Sequence, residues 1–386
     1  LNTNTVFSVN ERELKLLRFP QQHAKSSLQA WDAADEYIIK HIDTLNLPSS
    51  ASMAIINDDF GALTCAFSEH QPSVFSDSFM AHSAIKENLS RNRKASIKPA
   101  SSLDIENAEG IFDIVIIKVP RTLALLEQQL IDLHGSIDAN TIVIGAAKVK
   151  MVTSNAIALF DKYLGTTKTS LAVKKARLIF SEVKVKAEKS PMPFPTQVND
   201  PNIAFTLYNH ANVFCREQLD IGARLLLKNL PKLSGYCIDL GCGNGVLGIS
   251  LMQQNKRASV RFVDESFMAI ASAKLSLSKA LGDEIANERA NFTLSHCLQS
   301  LIKNDAIKAD LILCNPPFHQ QNVITDDIAW QMFVDAKNML RPSGELRVVA
   351  NHHLDYSAKL KRLFGGCEVV ASNSKFVVLS VTLKEA

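Results

Sequence analysis

The sequence has no strong excess of either charge, no long apolar run and no close cysteine pair, and each lack removes a class of protein. Lys and Arg number 42 against 39 Asp and Glu, a net charge of +3. That is too small to announce a nucleic-acid binder, although a local basic face can hide in a neutral total. The longest apolar stretches, such as 111–119 and 376–383, are strand-sized and fall short of the roughly 18 residues a membrane helix needs. Residues 1–17 are polar and charged with no apolar core, so no signal peptide is expected. Seven cysteines lie far apart without a C-x-x-C pair, which reads as reduced thiols and no metal site. The expectation is a soluble, cytoplasmic protein with neither membrane nor metal partners.

What is present is a chain of 386 residues with ordinary globular apolar and charged fractions, which disfavours disorder. At about 150 residues per domain this means two or three domains. The clearest composition break is 188–201, where Pro191, Pro193, Pro195 and Pro201 stand among polar residues. So many prolines continue neither a helix nor a central strand. A linker is expected there, between a domain over 1–187 and another over 202–386.

In the second half, strands are expected at 236–240, 259–263, 292–294, 309–314, 345–350 and 375–383, with helices including 246–255, 266–281 and 328–340. Strands alternating with crossover helices predict an α/β, Rossmann-like, mostly parallel sheet with helices on both faces. The first half repeats the order. Its Met53 to Leu63 segment resembles Cys237 to Leu247, Phe75-Ser76-Asp77-Ser78 resembles Phe262 to Ser266, and Phe112 to Pro120 resembles Ala309 to Pro317. Only Gly61 survives of a glycine loop there, and Asn-Pro-Pro-Phe has become Lys-Val-Pro-Arg. Two tandem copies of one fold are expected, the first without its cofactor loop.

Asp239-Leu240-Gly241-Cys242-Gly243-Asn244-Gly245 follows an apolar strand and opens a helix. Glycines there let backbone N–H groups approach a ligand. Gly243, Gly245 and Gly248 also satisfy G-x-G-x-x-G, so the loop alone does not exclude a dinucleotide. Asp239 tilts the choice. A carboxylate at the strand end repels a pyrophosphate and suits a cofactor with a cationic amino-acid end. Asp264, 25 residues on, is placed to accept from both hydroxyls of a ribose. Asn315-Pro316-Pro317-Phe318 ends another strand. The prolines remove donors and leave carbonyls, the Asn oxygen accepts from a planar amine, and Phe318 offers a stacking face.

On these residues the second half resembles the class I S-adenosylmethionine-dependent methyltransferases that carry N-P-P-[FY] and methylate amino nitrogens. The duplicated layout resembles the bacterial large-subunit (23S) ribosomal RNA guanine-N2 methyltransferase family, related to a small-subunit guanine-N2 family. Further stretches carry the same likeness: Gln29-Ala30-Trp31-Asp32-Ala33-Ala34-Asp35-Glu36-Tyr37, Asn209-His210-Ala211-Asn212-Val213-Phe214 and Asn315 through Gln321. The resemblance implies S-adenosylmethionine as cofactor and 23S rRNA as partner, with a degenerate first copy that helps hold RNA; it does not fix the oligomeric state, and a monomer is compatible with it. It implies that Asp239, Gly241, Cys242, Gly243 and Gly245 hold the methionine end and Asp264 with Glu265 the ribose. Asn315, Pro316, Pro317 and Phe318 would hold the target amine, with Asn315 also bordering the methionine end. Adenine would meet either His296 or the backbone of Cys297. Phe214 would either wall the cleft or pack in the core, and Asp220 reads as a helix cap. RNA contacts would come from Lys118 and Arg121, where the first copy replaces Asn-Pro-Pro-Phe, and from Lys174, Lys175 and Arg177. Three rivals share some of these features: a small-subunit rRNA enzyme, a glutamine-N5 or adenine-N6 methyltransferase, and a NAD-dependent oxidoreductase.

Overall fold

The computed structural model describes residues 5–20, 28–184, 188–232, 235–304, 307–317 and 323–384, and of 323–326 only the backbone. The chain forms two compact units, Leu1–Pro193 and Phe194–Ala386.

The second unit is built on a seven-stranded sheet. Its order is Ala290–Leu294, Ser259–Asp264, Tyr236–Leu240, Ala309–Cys314, Leu340–Asn351, Phe376–Thr382 and Glu368–Ser372. The first five run parallel and the last two antiparallel. The strands alternate in side-chain direction, as a pleat requires. Cys237, Leu311 and Leu313 pack on one face with Ile249, Met252, Ile270 and Leu277. Ile238, Ile312 and Cys314 pack on the other with Leu301, Phe333 and Leu360. Both faces are covered, so the central strands read as nearly continuous apolar runs.

The register fixes where the chemistry lies. Leu240 pairs with Val263 on one side and Cys314 on the other. The residues that follow these three strands therefore emerge side by side at one sheet edge, the carboxyl end where open α/β sheets bind ligands.

The first unit has a six-stranded sheet ordered Ser73–Phe75, Met53–Ile56, Ile114–Lys118, Ile142–Lys148, Ala176–Ser181 and Thr167–Thr169. Its topology matches the second sheet strand for strand, again with the last two antiparallel. The outer strand is reduced to a single parallel bridge between Phe75 and Ala100. Lys118, which follows Ile117 as Asn315 follows Cys314, is thus the topological counterpart of Asn315, as the internal repeat implies.

Several boundaries differ from expectation. Leu340–Asn351 is much longer than 345–350 and carries a register shift between Ala309 and Leu311 of its neighbour. The edge strand Glu368–Ser372 and the helix Tyr356–Phe364 were not foreseen; the former is largely exposed, so it has no core pattern to read. The second part of the proline-rich stretch is not a free linker, because Thr196–Val198 pairs antiparallel with Leu207–Asn209. All seven cysteines are free. Among the described residues no helix is long and apolar enough to cross a membrane, and no acidic, His or Cys group could hold a metal ion.

Candidate active site

The glycine bend joins the strand Tyr236–Leu240 to the helix Val246–Gln254. Its start is pinned by Gly241 N–H and Cys242 N–H, which both donate to the Val263 carbonyl at 2.8 and 3.0 Å. Gly245 N–H then donates to the Cys242 carbonyl at 2.8 Å, closing the turn. Gly245 has φ +81°, and a Cβ there would lie 3.0 Å from the Ala273 Cβ, so both conformation and space require glycine. Gly248 is needed for a different reason. A Cβ there would meet Phe262 Cε1 at 2.4 Å and Val260 Cγ1 at 2.9 Å. Such close helix–strand packing also occurs at the third glycine of dinucleotide folds, so this spacing does not separate the two cofactor classes.

The acids do separate them. Asp239 is buried at the strand end, and its Oδ2 accepts from Gly248 N–H at 2.9 Å. Burial pushes its carboxyl up to about 7, opposed by that bond and reinforced by Asp264. No described side chain supplies it with a cation. Asp264 is also raised by burial, against the pull of backbone N–H groups. Its Oδ2 accepts from Gly243 N–H at 2.9 Å and its Oδ1 from Ser266 N–H at 3.0 Å. The Asp264 carboxylate thereby ties the second strand end to the glycine bend and keeps lone pairs for hydroxyl donors. A Cβ on Gly243 would meet nothing within 4 Å, so the bend faces open space. This donor set fits S-adenosylmethionine: a buried anion for an ammonium, a carboxylate for a neutral diol, and a bare backbone between them.

Asn315 follows the strand Ala309–Cys314. Its Nδ2 donates to Asp220 Oδ2 at 3.2 Å. Its Oδ1 is buried and finds no hydrogen-bond partner among the described residues, a condition uncommon enough to need a reason. Pro316 is buried and Pro317 exposed; Phe318 lies outside the described residues. Asp220 is the N-cap of the helix Ile221–Leu227, accepting from Ala223 N–H at 2.8 Å. Its partnership with Asn315 was not legible in sequence, because 95 positions separate the two.

The remaining candidates divide. Phe214 is 48 % exposed, which excludes the core alternative. His296 is buried, and burial lowers its basicity so that the ring is neutral. Cys297 is buried with φ +46°. The chain just after it is held by Asp335, whose Oδ2 accepts from Leu298 N–H at 3.0 Å; Asp335 was not anticipated. Cys242 is buried and its thiol is held protonated by desolvation. Glu265 is partly exposed beside Asp264.

In the first unit the same sheet edge is differently furnished. The loop after Met53–Ile56 folds on itself, with Asp58 accepting from Gly61 N–H at 3.0 Å and from Thr64 N–H at 2.8 Å. Lys118 corrects an expectation. Its side chain is only 12 % exposed, with Nζ 2.5 Å from Asp35 Oδ1 and 3.2 Å from Asp32 Oδ1. These acids neutralise it inside the unit, so it is not a surface cation awaiting RNA. Burial, with Asp32 and Asp58 nearby, pushes Asp35 up to about 6 despite the lysine. Arg121, Lys174 and Lys175 are exposed and Arg177 is half-buried; Lys174 Nζ lies 2.8 Å from Glu36.

Comparison with known proteins agrees with both halves. Residues 4–185 match the RLMG N-terminal domain and residues 204–380 the methyltransferase small domain. The Ribosomal RNA large subunit methyltransferase G of Pseudoalteromonas atlantica is 46 % identical, over 98 % of this chain and 100 % of that protein. The protein of the same name from Klebsiella pneumoniae strain 342 is 46 % identical, over 97 % of each chain. Among solved structures, the T. thermophilus 16S rRNA N2 G1207 methyltransferase (RsmC), in complex with AdoMet and guanosine, shares the fold. The TM-score is 0.74 at 19 % identity, covering 100 % of this chain and 98 % of that one.

Proposed function

Because this chain belongs to the ribosomal RNA large subunit methyltransferase G family, we propose that it methylates the N2 amine of a specific guanine in 23S rRNA, in the cytoplasm, with S-adenosylmethionine as cofactor. The observation that carries the chemistry is Asn315 Oδ1, a buried acceptor without a partner among the described residues, beside the glycine bend. S-adenosylmethionine, when bound, supplies a methyl carbon on a positively charged sulfur. Asp239 holds the ammonium of its amino-acid end, the backbone of Gly241, Cys242, Gly243 and Gly245 lines the methionine stem, and Asp264 with Glu265 takes the ribose. His296 or the Cys297 backbone borders the adenine, and Phe214 walls the cleft.

The guanine amine is a poor nucleophile because its lone pair is delocalised into the ring. Asn315 Oδ1 and the Pro316 carbonyl accept its two hydrogens, which orients the nitrogen and favours the pyramidal geometry from which it attacks. Pro316 and Pro317 contribute no N–H that would compete for those acceptors. Rate enhancement is then positional and electrostatic, and the surplus proton leaves to the acceptors or to water. The base must leave its stack to reach this corner, with Phe318 as its new stacking partner. Arg121, Lys174, Lys175 and Arg177 of the first unit contact RNA phosphates.

The test is transfer of tritiated methyl groups to rRNA from cells lacking the protein, followed by nucleoside analysis. One labelled N2-methylguanosine in 23S rRNA is expected, and Asn315→Ala removes it. Label in 16S rRNA, in N6-methyladenosine or in protein overturns the reading.

A further inference from the structure

Asn315 can present either end of its amide to the cleft, and only one end is useful. The carbonyl oxygen accepts from an incoming amine; the NH2 group, turned the same way, sets donor against donor. The backbone does not decide between these orientations, since they differ by a half-turn about a torsion with two nearly equal wells. Something outside the Asn-Pro-Pro corner must make the choice.

Asp220 is the group in contact. Its carboxylate collects donors from three elements: Ala223 N–H at 2.8 Å, Asn315 Nδ2 at 3.2 Å and Cys215 Sγ at 3.8 Å. An ionised carboxylate accepts and never donates, so only the NH2 end of the amide can face it. With Nδ2 held, Oδ1 is turned into the position where no described residue offers it a donor. The neighbouring residue leaves room for this. A Cβ on Gly222 would lie 3.0 Å from Asp220 Oδ2 and 3.3 Å from the Phe376 ring, pressing on the oxygen that holds Asn315.

We propose that Asp220 is a positioning residue for methyl transfer: it fixes the Asn315 amide with its oxygen toward the substrate amine. The proposal rests on the reading of Asn315 as the amine acceptor. It adds a role for the helix Ile221–Leu227, which sets the acceptor polarity of a corner contributed by a strand 95 positions away in the chain.

Capping chemistry offers a clean separation of roles. Ser and Asn are N-caps about as good as Asp, so Asp220→Ser and Asp220→Asn retain the bond to Ala223 N–H. Neither is an obligate acceptor, because both side chains also donate, and both leave the Asn315 amide free to turn. Single-turnover methyl transfer to 23S rRNA from cells lacking the protein is measured together with S-adenosylhomocysteine affinity by calorimetry and the melting temperature. Both variants are expected to slow the transfer step at saturating RNA by at least about tenfold, with cofactor-product affinity within about twofold and melting unchanged. Transfer rates within twofold of the native protein overturn the proposal, as does a slower transfer that comes with a lower melting temperature. If Asn315→Ala itself retains full activity, the reading of Asn315 fails instead, and the two failures are told apart by that single variant.

Discussion

Asp239 couples cofactor affinity and folding to pH in opposite directions, and both can be followed in one titration. Burial raises its carboxyl to about 7, while in the unfolded chain it returns to an ordinary value near 3.8. The ammonium of S-adenosylhomocysteine binds the carboxylate and not the acid. With that midpoint, the ionised fraction is roughly a tenth near pH 6 and roughly a half near pH 7, so affinity is expected to rise about fivefold over that step. Folding responds the other way. The native state holds this proton to higher pH than the unfolded chain, so the contribution is full below about pH 4 and is lost as pH climbs through about 7. A shift of about three units corresponds to about 4 kcal/mol at most. Calorimetric titration at several pH values, with melting curves with and without S-adenosylhomocysteine, tests both limbs. The free protein is expected to melt lower near pH 7 than near pH 5, and the ligand-induced rise in melting temperature to grow over the same range. Asp239→Asn keeps an acceptor for Gly248 N–H and is expected to flatten both slopes. Equal affinity near pH 6 and near pH 7, or an undiminished slope in Asp239→Asn, refutes the reasoning.

Three further perturbations follow from the packing and the charges. Gly248→Ala drives a methyl group to 2.4 Å from Phe262 Cε1 and is expected to cost about 1–3 kcal/mol, read as a lower denaturation midpoint with little change in slope. Lys118→Met leaves Asp35, Asp32 and Asp59 without their shared cation and is expected to destabilise the first unit by about 3–5 kcal/mol while S-adenosylhomocysteine affinity holds; equal stability in chemical denaturation would show the pairing to be dispensable. Lys174→Glu with Lys175→Glu and Arg121→Glu is expected to weaken 23S rRNA binding and reduce its salt dependence, measured by filter binding at several salt concentrations, without altering cofactor affinity.

The residues legible in sequence are those whose role is set by a few neighbours in the chain. Asp239, Gly243, Asp264 and Asn315 sit at or just after strand ends, and a strand followed by a glycine or proline break places these residues at the sheet edge whatever the rest of the chain does. The duplication was legible for the same reason, since strand order follows from order in the chain. What sequence could not supply was partnership at a distance. Asp220 reads as a cap because its local neighbours make it one; nothing local reports Asn315. Lys118 reads as a stray cation in the degenerate copy, and the acids that engage it lie more than 80 positions earlier, at the N-cap and in the first turn of the helix Ala33–Asp43. The strand Glu368–Ser372 escaped because an exposed edge needs no apolar alternation, and the alternatives for Phe214 differed only in burial, which no local pattern carries.

The ion pairs of Lys118 bear on stoichiometry. A duplicated chain begins with two equivalent receptors, and if both stayed competent each molecule would sequester a second donor or spent product without using it. At the register position of Asp239 the first copy carries the apolar Ile55, and its Asp32 and Asp35 are matched by a lysine of the same unit. One equivalent is therefore expected: the saturation curve should be a simple hyperbola, and product inhibition should reflect occupancy of a single receptor.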